Sequence, residues 1–131
     1  MGTRSTTKIY DGKNLVLALY KQWDGYIEGG WGDELKAFVK SGKFVNGLPM
    51  DKKERLFNGI GCFALQLVKE FKTEAGDLYA TTEDDEQEYN YKIVYNWDYD
   101  KRKGTLKISC LEDKSFNEIT VSYTHLRAHE T

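Results

Sequence analysis

Arg4 stands between two hydroxyl residues, Thr3 and Ser5, in a stretch that should form a sheet strand. A guanidinium placed there can grip a phosphate or carboxylate through two parallel bonds, with the hydroxyls as further donors. The alternative is a structural ion pair, with Asp24 as the partner. Asp24 belongs to Gln22-Trp23-Asp24-Gly25-Tyr26, a segment rich in groups that suit a base or ribose. Trp23 and Tyr26 can stack on a nucleobase, and Asp24 can accept from ribose hydroxyls or base amines. The plainer alternative is a turn whose aromatics cap the core. Gly29-Gly30-Trp31-Gly32-Asp33 then leads into a helix, so its backbone N–H groups could receive an anion. Trp31 adds a third large aromatic to this connection.

Most enzyme templates are missing. The two histidines, His125 and His129, both fall in a C-terminal segment set aside below. What precedes them has no imidazole base and no histidine-based metal site. There is no P-loop and no Cys-x-x-Cys, so neither a catalytic set nor a metal or cofactor is expected. The acidic run Glu83-Asp84-Asp85-Glu86 could bind a hard cation through oxygens, or be a solvated hairpin tip. A net charge of −2 argues against a double-stranded nucleic-acid or membrane-surface binder, which needs a cationic field. No apolar stretch is long enough to span a bilayer, and the N-terminus lacks a signal peptide's apolar segment, which points to the cytoplasm. Cys62 and Cys110 read as small, reduced core residues.

The elements that must position these groups follow from the pattern of the 131 residues, a length suited to one domain. Thr3 to Tyr10 and Asn14 to Gln22 read as strands joined by an Asp11-Gly12 turn, the second apolar enough for burial on both faces. Asp33 to Ser41 is an amphipathic helix stopped by Gly42. Lys43 to Met50 reads as a loop. Asp51 and Glu54 read as a capping box opening a helix from Lys52 to Glu74, apolar on most sides. Gly59 and Gly61 inside it suggest close backbone packing. Leu78 to Thr82 is a third strand. Glu88 to Trp97 alternates cleanly, with Tyr89, Tyr91, Ile93, Tyr95 and Trp97 on one face. Thr105 to Leu111 is a fifth strand with Leu106, Ile108 and Cys110 inward, and Ser115 to Thr120 begins a sixth. This order, ββααβββ, predicts an α+β domain over residues 1–120: an antiparallel sheet of five or six strands with two helices packed on one face.

Residues Val121 to Thr131 resemble one reading-frame translation of the transposase adapter used to prepare sequencing libraries, as at the end of an untrimmed metagenomic contig. They are therefore set aside as a non-native tail, and the natural C-terminus is expected to be missing.

Gly2-Thr3-Arg4-Ser5 and Tyr20-Lys21-Gln22-Trp23-Asp24-Gly25-Tyr26 together resemble a family of small phage and prophage proteins. These begin Gly/Ala-Thr-Arg-Ser and carry Tyr-x-x-x-Asp-Gly-Tyr after the first hairpin. Phe57-Asn58-Gly59-Ile60-Gly61-Cys62, Gly76-Asp77-Leu78-Tyr79 and Gln87-Glu88-Tyr89 extend the resemblance over most of residues 2–95. Many relatives have Pro-x-Gly after the last tyrosine of the motif, where this chain has Ile27-Glu28-Gly29. The resemblance implies an anti-defence sponge that sequesters a nucleotide second messenger of bacterial immunity, a cyclic dinucleotide or a cyclic ADP-ribose isomer. Thr3, Arg4, Ser5, Gln22, Trp23, Asp24, Tyr26, Trp31, Asn58 and Glu88 are the ligand-binding candidates, on a homo-oligomer in the host cytoplasm whose site lies near a subunit boundary. The alternatives are a protein–protein inhibitor of a host factor with the aromatic loop as its hot spot, and a nucleotide-cleaving enzyme using Asp24, Glu28 or Glu88 with a divalent metal.

Overall fold

Asp11 and Gly12 close the first hairpin as expected: β1 (Ser5–Asp11) and β2 (Asn14–Lys21) pair antiparallel, with Gly12 at φ 63°. The computed structural model describes residues 2–46, 55–101, 103–116, 119–124 and 126–127. The chain continues through α1 (Trp31–Lys40), β3 (Gly42–Asn46), β4 (Arg55–Phe57) and α2 (Gly59–Phe71). It ends with β5 (Leu78–Ala80), β6 (Tyr89–Asp98), β7 (Lys103–Cys110), β8 (Ile119–Thr124) and β9 (Leu126–Arg127). The class is α+β with two helices.

The main sheet has six strands in the order β5-β2-β1-β6-β7-β8. It is mixed, not antiparallel as expected, because β1 and β6 run parallel with Ser5 beside Tyr89 and Asp11 beside Tyr95. A parallel pair needs a long crossover, and the two helices with β3 and β4 lie in that connection, while β9 from beyond β8 pairs with β3 to complete a second sheet, β4-β3-β9. Alternation sets the faces. Ile9, Leu19, Tyr91, Ile93, Tyr95, Leu106, Ile108 and Cys110 are buried in one core with Trp31, Leu35, Phe38 and Val39 of α1 and Ile60, Phe63 and Leu67 of α2. Each such side chain contributes about 1.5–3 kcal/mol on burial.

Several elements differ from expectation. Lys43 to Asn46 is strand, not loop, and Arg55 to Phe57 pairs parallel with it rather than beginning a helix. Gly42 permits that approach, since an added Cβ would stand 2.8 Å from the Arg55 carbonyl and from the Phe57 ring. The Asp51–Glu54 capping box lies outside the described residues. Helix α2 begins at Gly59, whose φ of 87° favours glycine at the turn into the helix, and among the described residues a Cβ at Gly59 or Gly61 would meet nothing within 4 Å. Close packing therefore does not explain these glycines. Nor is α2 covered on most sides: Leu65 is 70% exposed. Strand β2 is buried only in its second half, with Leu15 and Val16 exposed.

The acidic run is not a hairpin tip. Strands β5 and β6 are separated by β2 and β1, so residues 81–88 cross over both strands on the face opposite the helices. Thr81 donates its N–H to the Ala18 carbonyl and the Tyr10 hydroxyl donates to Glu83 along the way. Residues Val121 to Thr124, read above as adapter, lie within β8 and pair with β7.

Candidate functional site

The Thr3–Ser5 arm and the Gln22–Tyr26 loop meet at one end of the sheet. The Gly25 N–H donates to the Thr3 carbonyl at 2.9 Å, and a Cβ on Gly25 would stand 2.7 Å from that of Ser5. Below the loop, the Tyr91 hydroxyl donates to the Gly25 carbonyl at 2.7 Å. Burial pushes this phenol well above the usual tyrosine range, so it stays protonated and able to donate. Asp24 holds a left-handed φ of 57°, a strained setting for a residue with a Cβ, while its carbonyl accepts from the Trp31 N–H.

Asp77 fixes the loop's entry, and sequence reasoning missed it. Its carbonyl accepts from Gln22 N–H at 2.7 Å and its carboxylate from Trp23 N–H at 3.2 Å. The same carboxylate pairs with Lys21 at 2.8 Å, and the Lys21 ammonium also sits 5.1 Å from the Trp31 ring centre. Asp77 follows Gly76, both at positive φ. That turn was visible in the sequence, but nothing local tied it to a segment more than fifty positions earlier.

Five candidates are exposed around this clamp: Arg4, Trp23, Asp24, Tyr26 and Glu88. Trp23 is 46% exposed, with Gly2 packed against its ring, and the Tyr26 hydroxyl donates to Asp24 at 3.4 Å. Gln22 and Thr3 are half-buried. Glu88 accepts from the Arg4 N–H at 3.3 Å, which joins the arm to the start of β6. Among the described residues the Arg4 guanidinium forms no ion pair, so the alternative of an Arg4–Asp24 bridge is not found. Ser5 is fully buried beneath Gly25, and its Oγ has no hydrogen-bond partner among the described residues.

Two candidates lie elsewhere. Trp31 is fully buried, its indole N–H donating to the Thr7 hydroxyl at 2.7 Å and its ring meeting Phe71 edge-on at 4.9 Å. It holds helix to sheet and presents no surface to a ligand. Asn58 precedes α2, whereas Phe71 beside Trp31 ends it, so Asn58 stands about 20 Å away along the helix. The glycine-rich entry to α1 offers no anion cradle. Its amides are bonded within the segment: Gly29 to Asp33 Oδ2, Gly30 and Asp33 to the Ile27 carbonyl, and Gly32 to that of Tyr26.

Among the described residues no three His, Cys, Asp or Glu side chains are grouped to hold a metal ion, and no helix is long and apolar enough to cross a membrane. Comparison of the chain with protein-family models, curated proteins and solved structures finds no match.

Proposed function

We propose that the protein binds a nucleotide second messenger of bacterial immunity, of the cyclic dinucleotide or cyclic ADP-ribose type, and sequesters it intact to block anti-phage signalling. The observation that carries this reading is the Thr3–Gly25 clamp. It sets an exposed guanidinium, without an ion-pair partner among the described residues, at the same end of the sheet as two exposed aromatics and a carboxylate. Arg4 supplies two parallel donors to phosphate, Trp23 and Tyr26 supply stacking faces, and Asp24 accepts from a ribose hydroxyl or base amine. The resemblance of Gly2–Ser5 and Tyr20–Tyr26 to phage proteins supports the same reading.

An exposed loop buries too little of a drug-sized ligand by itself. The proposal therefore includes a homo-oligomer, with a second copy supplying the other wall, and C₂ symmetry is the commonest arrangement. Light scattering at micromolar concentration, with and without ligand, tests it, and a monomeric mass in both would refute the shared site.

The deciding experiment incubates the protein with a panel of cyclic dinucleotides and cyclic ADP-ribose isomers, removes unbound ligand, then denatures the protein. Intact ligand in the denatured fraction is expected. Fragments would indicate a nucleotide-cleaving enzyme. Depletion of nothing would leave Trp23 and Tyr26 as the hot spot of a protein interface. Arg4→Lys keeps the charge and loses the planar fork, so affinity should fall noticeably. Binding that survives Arg4→Ala with unchanged salt dependence removes Arg4 from the phosphate site.

A further inference from the structure

We propose a second anion site, on the face of the sheet away from the helices, that takes a phosphomonoester of sugar size. It is separate from the loop site and does not rest on that reading. The parallel register of β1 and β6 sets Lys8 directly beside Lys92, and β7 places Ser109 next to Lys92 on the same face. Neighbouring strands lie about 4.8 Å apart, and like charges opposite one another on adjacent strands are destabilising. Neither ammonium is in an ion pair among the described residues. Lys92 instead lies 5.0 Å from the Tyr10 ring centre.

Acidic residues are close by, yet other groups engage most of them. The segment crossing from β5 to β6 carries Glu83, Asp84, Asp85 and Glu86 over this face before Glu88, which accepts from the Arg4 N–H. Glu83 accepts from the Tyr10 hydroxyl at 3.0 Å, and Asp84 accepts from the Thr82 hydroxyl at 2.5 Å. Asp85 accepts from the Thr81 hydroxyl at 2.7 Å and from the Gln87 amide at 2.8 Å. The Asp84 carboxyl is held below its usual range chiefly by the Thr82 hydroxyl and its own N–H, with the Lys8 charge a lesser contribution. Asn90 anchors the end of the crossing segment, accepting from the Gln87 N–H and the Thr6 hydroxyl.

What remains is a cavity of about 250 Å³ lined by Lys8, Tyr10, Glu86, Asn90, Lys92 and Ser109. Two ammonium groups on adjacent strands can share one phosphoryl group, which neutralises the repulsion that their register imposes. Glu86 and Ser109 can engage hydroxyls on the ester, and the Tyr10 ring forms a wall. Pockets for drug-sized ligands run to roughly 300–1,000 Å³, so this volume suits a phosphorylated sugar and is too small for a whole dinucleotide.

The test titrates the full chain with ribose 5-phosphate, ribose and inorganic phosphate, reading amide resonances and heat. Ribose 5-phosphate should bind saturably and shift the amides of Lys8, Tyr10 and Lys92. Ribose should not bind, and inorganic phosphate should bind more weakly than the ester. Lys8→Met and Lys92→Met keep the aliphatic stem, and each should weaken binding at least about tenfold, in line with a charged hydrogen bond. Arg4→Ala should leave it unchanged, which separates this site from the loop. Because each methionine variant removes one of two adjacent like charges, it should melt no lower than the parent at low salt. Absence of saturable binding, equal affinity in the methionine variants, equal affinity for inorganic phosphate, or loss in Arg4→Ala would each overturn the proposal. A marked fall in melting temperature of both lysine variants would do the same, by making the lysines structural.

Discussion

Replacing Tyr91 with phenylalanine isolates the bond that holds the aromatic loop to the sheet. Tyr91 is 1% exposed, and its ring packs against Phe116 at 5.5 Å and Tyr89 at 6.5 Å, contacts that phenylalanine retains. What disappears is the 2.7 Å donation to the Gly25 carbonyl. Gly25 is buried, so the carbonyl loses its phenol partner away from water. Leaving a buried acceptor unsatisfied costs about 1–3 kcal/mol, partly offset because the variant no longer desolvates a phenol. A net loss of about 1–2 kcal/mol should lower the melting temperature by roughly 4–8 °C in a chain of this size. Urea unfolding gives the free energy, and amide exchange locates it. The amides of Gly25 and Trp31, both bonded in the clamp, should exchange faster than the core strands do. Nucleotide affinity should fall with them, since the loop that carries Trp23 and Asp24 is no longer held in place. A variant within about 0.5 kcal/mol of the parent, with unchanged exchange at Gly25, would refute Tyr91 as the anchor, because surface-like substitutions fall in that range.

Gly25→Ala should be more damaging, since the new Cβ would stand 2.7 Å from Ser5 Cβ and 2.9 Å from the Thr3 carbonyl. A melt within a degree of the parent, with the Thr3–Gly25 bond still protected from exchange, would show that the arm and loop separate freely. Burial pushes the Tyr95 phenol up to about 12, against an ordinary value near ~10. Folding therefore favours its protonated form, and the stability this provides is complete below pH ~10 and lost as pH rises through the folded value. Tyr95→Phe should flatten that alkaline decline in denaturant midpoints, and an unchanged slope would remove Tyr95 as its cause. Deleting Val121 to Thr131 removes most of β8 and leaves β7 as the sheet edge, so a lower melting temperature is expected. An unchanged one would agree with the adapter reading, in which this segment is foreign to the fold.

Local pattern determined a good deal of this protein. The alternation from Tyr89 to Trp97 assigned the inward face of β6 correctly, because side chains on a strand change face with every residue. Asp11-Gly12 marked the hairpin, and Leu35, Phe38 and Val39 marked the buried stripe of α1. Thr3, Arg4 and the Trp23–Tyr26 segment were singled out by residue type, and the fold brings them to the same end of the sheet. Only the tertiary structure decided which elements are neighbours. Alternation specifies a face and not a partner, so the parallel pairing of β1 with β6 left no local trace. The same pairing sends the acidic run across the sheet over Lys8 and makes Lys8 and Lys92 adjacent. Tertiary packing also separates two tryptophans of one connection. Trp31 is buried because Thr7 offers an acceptor and Lys21 and Phe71 enclose its ring, whereas Trp23, with Gly2 against its ring, stays half in water. Residue type made both of them candidates, and long-range contacts left only Trp23 at the surface.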